Sequence, residues 1–448
     1  MPDYPETIAA IATAPGKSGI GIIRISGPKS LQIANSITGI SPKPRQAHFI
    51  PFKNKEQQVL DKGLLIYFKS PDSYTGEDVV ELQGHGSQVI LNMILKEAFL
   101  LGAVPAAPGE FTQRAYLNGK LDLIQAESVA DLIESTSEKS AIYAMQSLDG
   151  EFSARIKSIV DTVTSTRVYV EGSLDFPEEE IDFLDNENVP NNIMQAIKEL
   201  DALLKSAAAG KKLRQGMSVV IMGRANVGKS SLLNELVGTN KSIVTNHAGT
   251  TRDVIEDTIY IAGVAITLID TAGIREPENI IEKEGIRRSQ EQIKKADVLL
   301  LVTDAPEITS NEFQMLAQQE KKHLIIIHNK IDLYGHKVID EKVEGVQHLY
   351  LSVKNKEGIE NLKSALENII LIDNDSENLV YARERHIQLL TKAKHVLEQG
   401  LKEFKTSKQG EILAEFLKTT QELLGQITGE FHSDDLLGEI FSRFCIGK

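Results

Sequence analysis

The sequence has almost no cysteine: Cys445 is the single thiol in 448 residues. That excludes an intramolecular disulfide and any cysteine-rich metal site. Long hydrophobic runs are also missing, and none approaches the ~20 residues that span a bilayer. The opening, Met1-Pro-Asp-Tyr-Pro-Glu-Thr7, has neither the basic nor the apolar region of a secretory signal. A cytoplasmic protein with no membrane partner is therefore expected. Positive charge is scarce: 49 Lys and Arg against 63 Asp and Glu leave a net charge of −14. A nonspecific nucleic-acid coat, whose affinity comes from neutralising phosphates, is disfavoured; a local basic surface for RNA is not. What remains is 41 % hydrophobic and 25 % charged, the composition of a globular chain long enough for roughly two to four domains.

The most informative stretch is Gly223-Arg-Ala-Asn-Val-Gly-Lys-Ser230. An apolar run, Val219 to Met222, precedes it as a buried strand, and Ser231 to Leu236 follows as a helix. Strand, Gly-x-x-x-x-Gly-Lys-Ser, helix is a phosphate-binding loop in its expected context. Glycines let the backbone N–H groups of Asn226, Val227, Gly228 and their neighbours converge on an anion, and the helix N-terminus adds partial positive charge. Lys229 can reach β- and γ-phosphates, and the Ser230 hydroxyl can ligate Mg²⁺.

Two further strand ends complete a nucleotide site. Ile266 to Asp270 reads as a buried strand followed by Thr271, Ala272 and Gly273; Asp270 can hold a Mg²⁺-bound water, and the Gly273 N–H can sense a γ-phosphate. Leu324 to Asn329 reads as another, ending in Asn329-Lys330-Ile331-Asp332. Asp332 can accept both the N1–H and the 2-amino hydrogens of guanine, a pattern adenine does not offer, so GTP is the expected substrate. Ser352, Val353 and Lys354 read as the last base-contacting loop. Ligands of doubly wound sheets bind at the carboxyl ends of strands, where all these motifs fall.

The catalytic parts are less standard. Ile274 follows Gly273, where many GTPases carry a water-orienting glutamine. Isoleucine cannot hydrogen-bond a water, so another group is required: Glu282, Glu284 or an extra cation. Thr245-Asn-His-Ala-Gly-Thr-Thr251 reads as the first switch, with Thr251 a second Mg²⁺ ligand. Its carbonyls, together with the Asn226 amide, could surround a monovalent cation, since oxygen ligands suit a hard ion.

In chain order, residues 1–118 read as an α+β domain in which Gly19 to Gly27, Gly63 to Phe68 and Asp78 to Gln83 are strands and Gln88 to Leu101 a helix. On pattern alone, Arg24 and Glu81 are solvated-face charges. Residues 119–215 turn helical, with Asp175-Phe-Pro-Glu-Glu-Glu180 as an acidic turn. The same texture returns over residues 376–448. We expect these two segments to form one helical domain split in sequence, with a Ras-like G domain, 216–375, inserted between them. Ala207 to Gly216 is expected to be a flexible, basic entry linker.

The chain resembles the MnmE/TrmE family of tRNA-modification GTPases. The resemblance covers nearly its whole length and rests on Thr7-Ile-Ala-Ala-Ile-Ala-Thr-Ala-Pro-Gly16, Gly21-Ile-Ile-Arg-Ile-Ser-Gly27, Leu117-Asn-Gly-Lys-Leu-Asp-Leu123, Asp175-Phe-Pro-Glu-Glu-Glu180, Gly249-Thr-Thr-Arg-Asp253 and the terminal Cys445-Ile-Gly-Lys448. It implies a tetrahydrofolate-binding-like first domain that forms a constitutive homodimer. Arg24, Glu81 and Lys120 match folate-contacting positions, joined by Lys448, and this reverses the reading of Arg24 and Glu81 as mere surface charges. The folate would be a 5-formyl or methylene derivative. The resemblance also implies a K⁺ ligated by Asn226 and by carbonyls at Thr245, His247 and Thr250; Mg²⁺ at Ser230 and Thr251; Glu282 positioning the attacking water; and nucleotide contacts through Ser231, Asn246, Ala248 and Gly249. The implied partner is the FAD protein MnmG, in a heterotetramer that adds a carboxymethylaminomethyl or aminomethyl group at C5 of the wobble uridine of certain tRNAs. The departures are small: Asn246-His247 replaces a more usual Asp and aliphatic pair, and Lys17-Ser18 a common Arg-Gly pair. Cys445 reads as a bystander thiol. The alternative is a GTP-switched ribosome or RNA assembly factor with no role in modification chemistry, which explains the nucleotide motifs equally well but neither the first domain nor the terminal tail.

Overall fold

The computed structural model describes residues 6–175, 188–224, 226–239, 255–261, 263–270, 296–304, 323–372, 379–430, 434–442 and 444–447. The chain falls into two compact units. One comprises Met1–Glu134, Ala144–Asp201 and Gln388–Lys448; the other comprises Ser135–Tyr143 and Ala202–Ile387.

The first unit begins with six strands, β1 (Thr7–Ile11), β2 (Ser18–Ser26), β3 (His48–Lys53), β4 (Val59–Phe68), β5 (Val79–Gly86) and β6 (Ala103–Pro105), in the order β3-β4-β5-β2-β1-β6. Every pairing is antiparallel except β1 with β6. The period of two that marks these runs puts Ile23, Ile25, Leu65 and Leu82 on one face. Helices α1 (Ser30–Thr38) and α2 (Gln88–Leu100) cover that face with Ile33, Ile37, Leu91 and Ile94. Arg24 and Glu81, paired across β2 and β5, therefore lie on the opposite face.

Then come α3 (Glu110–Leu117), α4 (Leu123–Glu134), α5 (Glu138–Leu148), α6 (Glu151–Asp175) and α7 (Asn188–Gln215). The late segment supplies α11 (Glu384–Ser407), α12 (Gly410–Thr428) and α13 (Asp434–Ser442). As their shared apolar spacing predicts, early and late helices join: α12 packs along α6, where Arg167 donates to the Gln421 amide oxygen at 3.1 Å. Leu437, Phe441 and Phe444 bury against Leu123 and Ala126, and the Tyr116 hydroxyl donates to the Gly429 carbonyl at 2.6 Å.

One expectation is corrected. Ala207 to Gln215 is not a flexible linker but the last turns of α7, which ends only at Gly216, in a left-handed conformation with φ 74°. Ala, Lys, Leu, Arg and Gln are strong helix formers, and together they offset the one Gly210. That glycine has a packing reason: a Cβ there would sit 1.9 Å from the Val380 carbonyl oxygen.

The second unit is a doubly wound sheet. Its strands are β7 (Met217–Met222), β8 (Ile255–Ile261), β9 (Val264–Asp270), β10 (Val298–Thr303), β11 (His323–His328), β12 (Ile339–Val343) and β13 (Val346–Tyr350), in the order β12-β13-β11-β10-β7-β9-β8. The five inner strands are parallel; β8 and β12 close the edges antiparallel. β12 is exposed along its length and carries Asp340, Glu341 and Lys342, charges that discourage edge pairing. Helices α8 (Lys229–Thr239) and α10 (Ile359–Ile372) bury Leu232, Leu236, Leu362 and Leu366 with Val219, Ile221, Leu300 and Ile327. The short α9 (Ile331–Tyr334) follows β11. Strand order reverses around β7, so the loop after β7 stands at the topological switch point.

Candidate functional site

The loop between β7 and α8 is shaped by positions that only particular residues can hold. Gly223 has φ 145°, and a Cβ there would meet the Val302 carbonyl oxygen at 2.1 Å. Gly228 has φ 102°, and a Cβ there would meet the Asn329 amide nitrogen at 2.3 Å. Asn226 is left-handed at φ 65°, a conformation that asparagine tolerates better than most residues. Gly223→Ala combines backbone strain with a clash and should destabilise the second unit by roughly 3 kcal/mol. Urea unfolding of the full chain checks this: the midpoint of the transition that exposes this unit should fall, and an unmoved midpoint contradicts the geometry.

Lys229, 6 % exposed, opens α8 and folds back so that its ammonium donates to the Gly223 and Arg224 carbonyls at 2.8 and 2.7 Å. Asn329 ties this loop to the rest of the site. Its amide nitrogen donates to the Val227 carbonyl at 2.8 Å, and its oxygen accepts from the Val353 N–H at 3.1 Å. Lys330, also left-handed at φ 66°, donates to the Asn226 carbonyl at 2.7 Å and pairs with Asp304 at 3.0 Å. The Ser352 hydroxyl donates to Asp332 at 2.7 Å and accepts from the Asn355 N–H at 3.2 Å, leaving one Asp332 oxygen without a bond from Ser352. Buried polar groups with every partner in place hold a site rigid before any ligand arrives.

These residues enclose one cavity of about 720 Å³, lined by Asn226, Gly228, Ser231, Asn329, Lys330, Asp332, Val353 and Lys354. Asn234, Glu235, Leu333 and Lys356 also line it, and the sequence reading missed them. Glu235 and Lys356 form an ion pair at 3.0 Å across the rim. Asp304 was missed as well, though it directly follows β10, an acid at a strand's carboxyl end like Asp270 at the end of β9, which is the signal that points to it. His328, just before Asn329, is buried and stacks on Tyr350 at 4.2 Å and on His348 at 5.3 Å. Burial holds His348 below the usual imidazole range, against the pull of Glu341.

Ser230 lies in the first turn of α8, directly after the buried Lys229, and is exposed. Asp270 is registered opposite Ile221, at the end of the sheet where the phosphate loop starts. A hydroxyl and a carboxylate are the hard oxygen donors that Mg²⁺ requires. Asn226 is the one predicted K⁺ ligand within the described residues. Thr245, Asn246, His247, Ala248, Gly249, Thr250 and Thr251 lie outside them, as do Thr271, Ala272, Gly273, Glu282 and Lys448.

In the first unit, Arg24 donates to one Glu81 oxygen through Nε and Nη2, at 3.1 and 3.0 Å. The pair is only partly exposed, 23 % and 14 %, and the guanidinium lies between the rings of Tyr74 and Phe111, 5.5 and 5.7 Å from their centroids. Lys120 donates to the Pro71 carbonyl at 3.0 Å. The 71–77 loop thus touches both Arg24 and Lys120. A carboxylate paired with a guanidinium, with an ammonium on the same loop, is a donor and acceptor set able to meet both ring N–H groups and carboxylates, which a folate offers.

A phosphate loop at the switch point of a doubly wound sheet, tied through Asn329 to a base-reading loop, defines a P-loop GTPase. Two family models match the chain: "GTP-binding protein TrmE N-terminus" over residues 7–120 and "MnmE helical domain" over residues 123–445. The tRNA modification GTPase MnmE of Marinomonas sp. (strain MWYL1) is 47 % identical over 449 residues, 99 % of this chain and 98 % of that protein. The protein of the same name from Coxiella burnetii (strain Dugway 5J108-111) is 47 % identical over 450 residues, 99 % of each. Among solved structures, the G domain of the T. maritima FeoB iron transporter covers 35 % of this chain and 98 % of its own at 29 % identity, with a TM-score of 0.27. The chain belongs to the MnmE family of tRNA modification GTPases.

Proposed function

We propose that the chain is a K⁺-activated GTP hydrolase that acts with the FAD protein MnmG and a reduced folate to install a carboxymethylaminomethyl or aminomethyl group at C5 of the wobble uridine of certain tRNAs. It works in the cytoplasm as a homodimer whose first domain, 1–118, mediates pairing, with the G domain, 216–375, inserted in the helical domain. No helix among the described residues is long and apolar enough to cross a membrane. The observation that carries the hydrolase reading is a cavity lined both by the phosphate loop, at Asn226 and Gly228, and by Asp332.

The residues divide the work. Asp332 accepts the N1–H and 2-amino hydrogens of guanine, and Ser352 fixes that carboxylate. Lys330 and Leu333 flank the base. The N–H groups at the start of α8 and the Lys229 ammonium hold the phosphates where negative charge builds as the terminal bond breaks. Ser230 and Thr251 would hold Mg²⁺, and Asn226 with the carbonyls of Thr245, His247 and Thr250 would hold K⁺; each ion would supply positive charge to the phosphates. Glu282 orients the attacking water, a role Ile274 cannot fill. Arg24, Glu81, Lys120 and Lys448 hold the folate, the source of the one-carbon unit.

Calorimetric titration of the full chain with 5-formyltetrahydrofolate tests the reading against a GTP-switched assembly factor. Saturable binding that is weakened about tenfold or more by Glu81→Ala is expected, since a charged hydrogen-bond partner is lost. Absence of binding would favour the assembly factor.

A further inference from the structure

Two walls of the nucleotide cavity come from distant parts of the chain. One is α8, which opens with Lys229 and Ser230 and carries the phosphate side. The other is the 352–357 loop, which carries the base side. That loop is stiff. Ser352 and Glu357 exchange both backbone hydrogen bonds at 3.0 Å, and the Lys356 N–H donates to the Val353 carbonyl at 3.3 Å. The Ser352 hydroxyl adds its bonds to Asp332 and to the Asn355 N–H.

Two ties join the walls. Asn329, 5 % exposed, bonds the phosphate loop at Val227 and the base loop at Val353. The second tie is at the rim. Lys356 Nζ lies 3.0 Å from Glu235 Oε1, with side chains 67 % and 16 % exposed. Both residues line the cavity. Lys356 is held left-handed at φ 60°, a conformation that suits glycine better than lysine. The loop thus carries, at its strained position, a side chain that reaches α8. A nucleotide with its base at Asp332 and its phosphates at Lys229 spans both walls. Parting of the walls lets it go, and a tie between them resists that parting. An ion pair this exposed contributes little to folding, but a small contribution to a barrier is read directly in a rate.

We propose that Glu235 and Lys356 form a clasp that slows release of guanine nucleotide by holding the base loop against α8. They are positioning residues for nucleotide exchange. This rests on the guanine-nucleotide reading of the cavity and goes beyond it by assigning the release step to two residues outside the nucleotide motifs.

Release of radiolabelled GDP from the full-length chain, chased with excess unlabelled GTP, tests the clasp. At low salt, Lys356→Gly and Glu235→Gln should each release GDP about threefold faster, the worth of one exposed ion pair. Lys356→Gly also relieves the left-handed strain, so the urea midpoint of this unit should not fall. Lys356→Glu sets two carboxylates together and should release GDP about tenfold faster. Exchanging the pair, Glu235→Lys with Lys356→Glu, should return the rate to within about twofold of wild type. In about 1 M KCl, where charges are screened beyond about 3 Å, the difference between Lys356→Gly and wild type should vanish. Several results overturn the clasp and leave the nucleotide reading intact: a wild-type rate in Lys356→Gly, faster release only with a lowered midpoint, a difference that survives high salt, or a folded exchanged pair that stays fast. Absence of GDP binding by wild type overturns both. Should the exchanged pair not fold, the Lys356→Gly rate and its salt dependence decide.

Discussion

Asp332→Asn should convert a guanine site into a xanthine site. The carboxylate is the group proposed to accept the N1–H and 2-amino hydrogens, and the Ser352 hydroxyl holds it at 2.7 Å. Replacing it by an amide puts a donor against the 2-amino donor of guanine. Sites built to hydrogen-bond a substrate reject a mismatched one by about 10⁴-fold, so affinity for GTP should fall by roughly that factor. Xanthosine triphosphate carries an oxygen where guanine carries the amine, so it should bind the variant best and be hydrolysed by it. Measuring turnover with both nucleotides checks the exchange. A variant that keeps GTP affinity within tenfold would show that the base is read elsewhere.

Replacing K⁺ by Na⁺ should lower GTP turnover about a hundredfold, the usual worth of one positioned charge or donor at a developing anion. Ile274 stands where many GTPases carry a water-orienting glutamine and cannot orient water, so a cation is proposed to supply the missing catalytic charge. Asn226 sits in the left-handed conformation in the middle of the phosphate loop, its carbonyl held by Lys330 at 2.7 Å. Asn226 also lines the cavity. Asn226→Ala should therefore bring turnover in K⁺ down to the Na⁺ level. Equal wild-type rates in the two salts would remove the cation from the mechanism.

Much of this was legible in the sequence because its signals are local. Gly223 to Ser230 is contiguous, and its glycines are needed for reasons visible one residue at a time. The strands before it and before Asn329 are short apolar runs of the kind parallel sheets bury on both faces. Local signals failed where the reason is tertiary. The stretch from Ala207 to Gly216 looks like a linker because it contains two glycines and basic residues, yet Gly210 is a helical residue that admits the Val380 carbonyl from far along the chain. Asp304 acquires its role only when β10 is placed beside β11, so that it meets Lys330. Arg24 and Glu81 each look like a lone charge in an apolar strand; register brings them face to face across β2 and β5, and periodicity cannot reveal that.

Mass spectrometry of wobble uridines from cells lacking this chain tests the central claim most directly. The C5 carboxymethylaminomethyl and aminomethyl groups should disappear, and wild type should restore them. Lys229→Ala, which removes the ammonium proposed to hold the phosphates, should restore neither. An unchanged set of modified uridines in the absence of the chain would contradict the claim that its GTP hydrolysis serves tRNA modification.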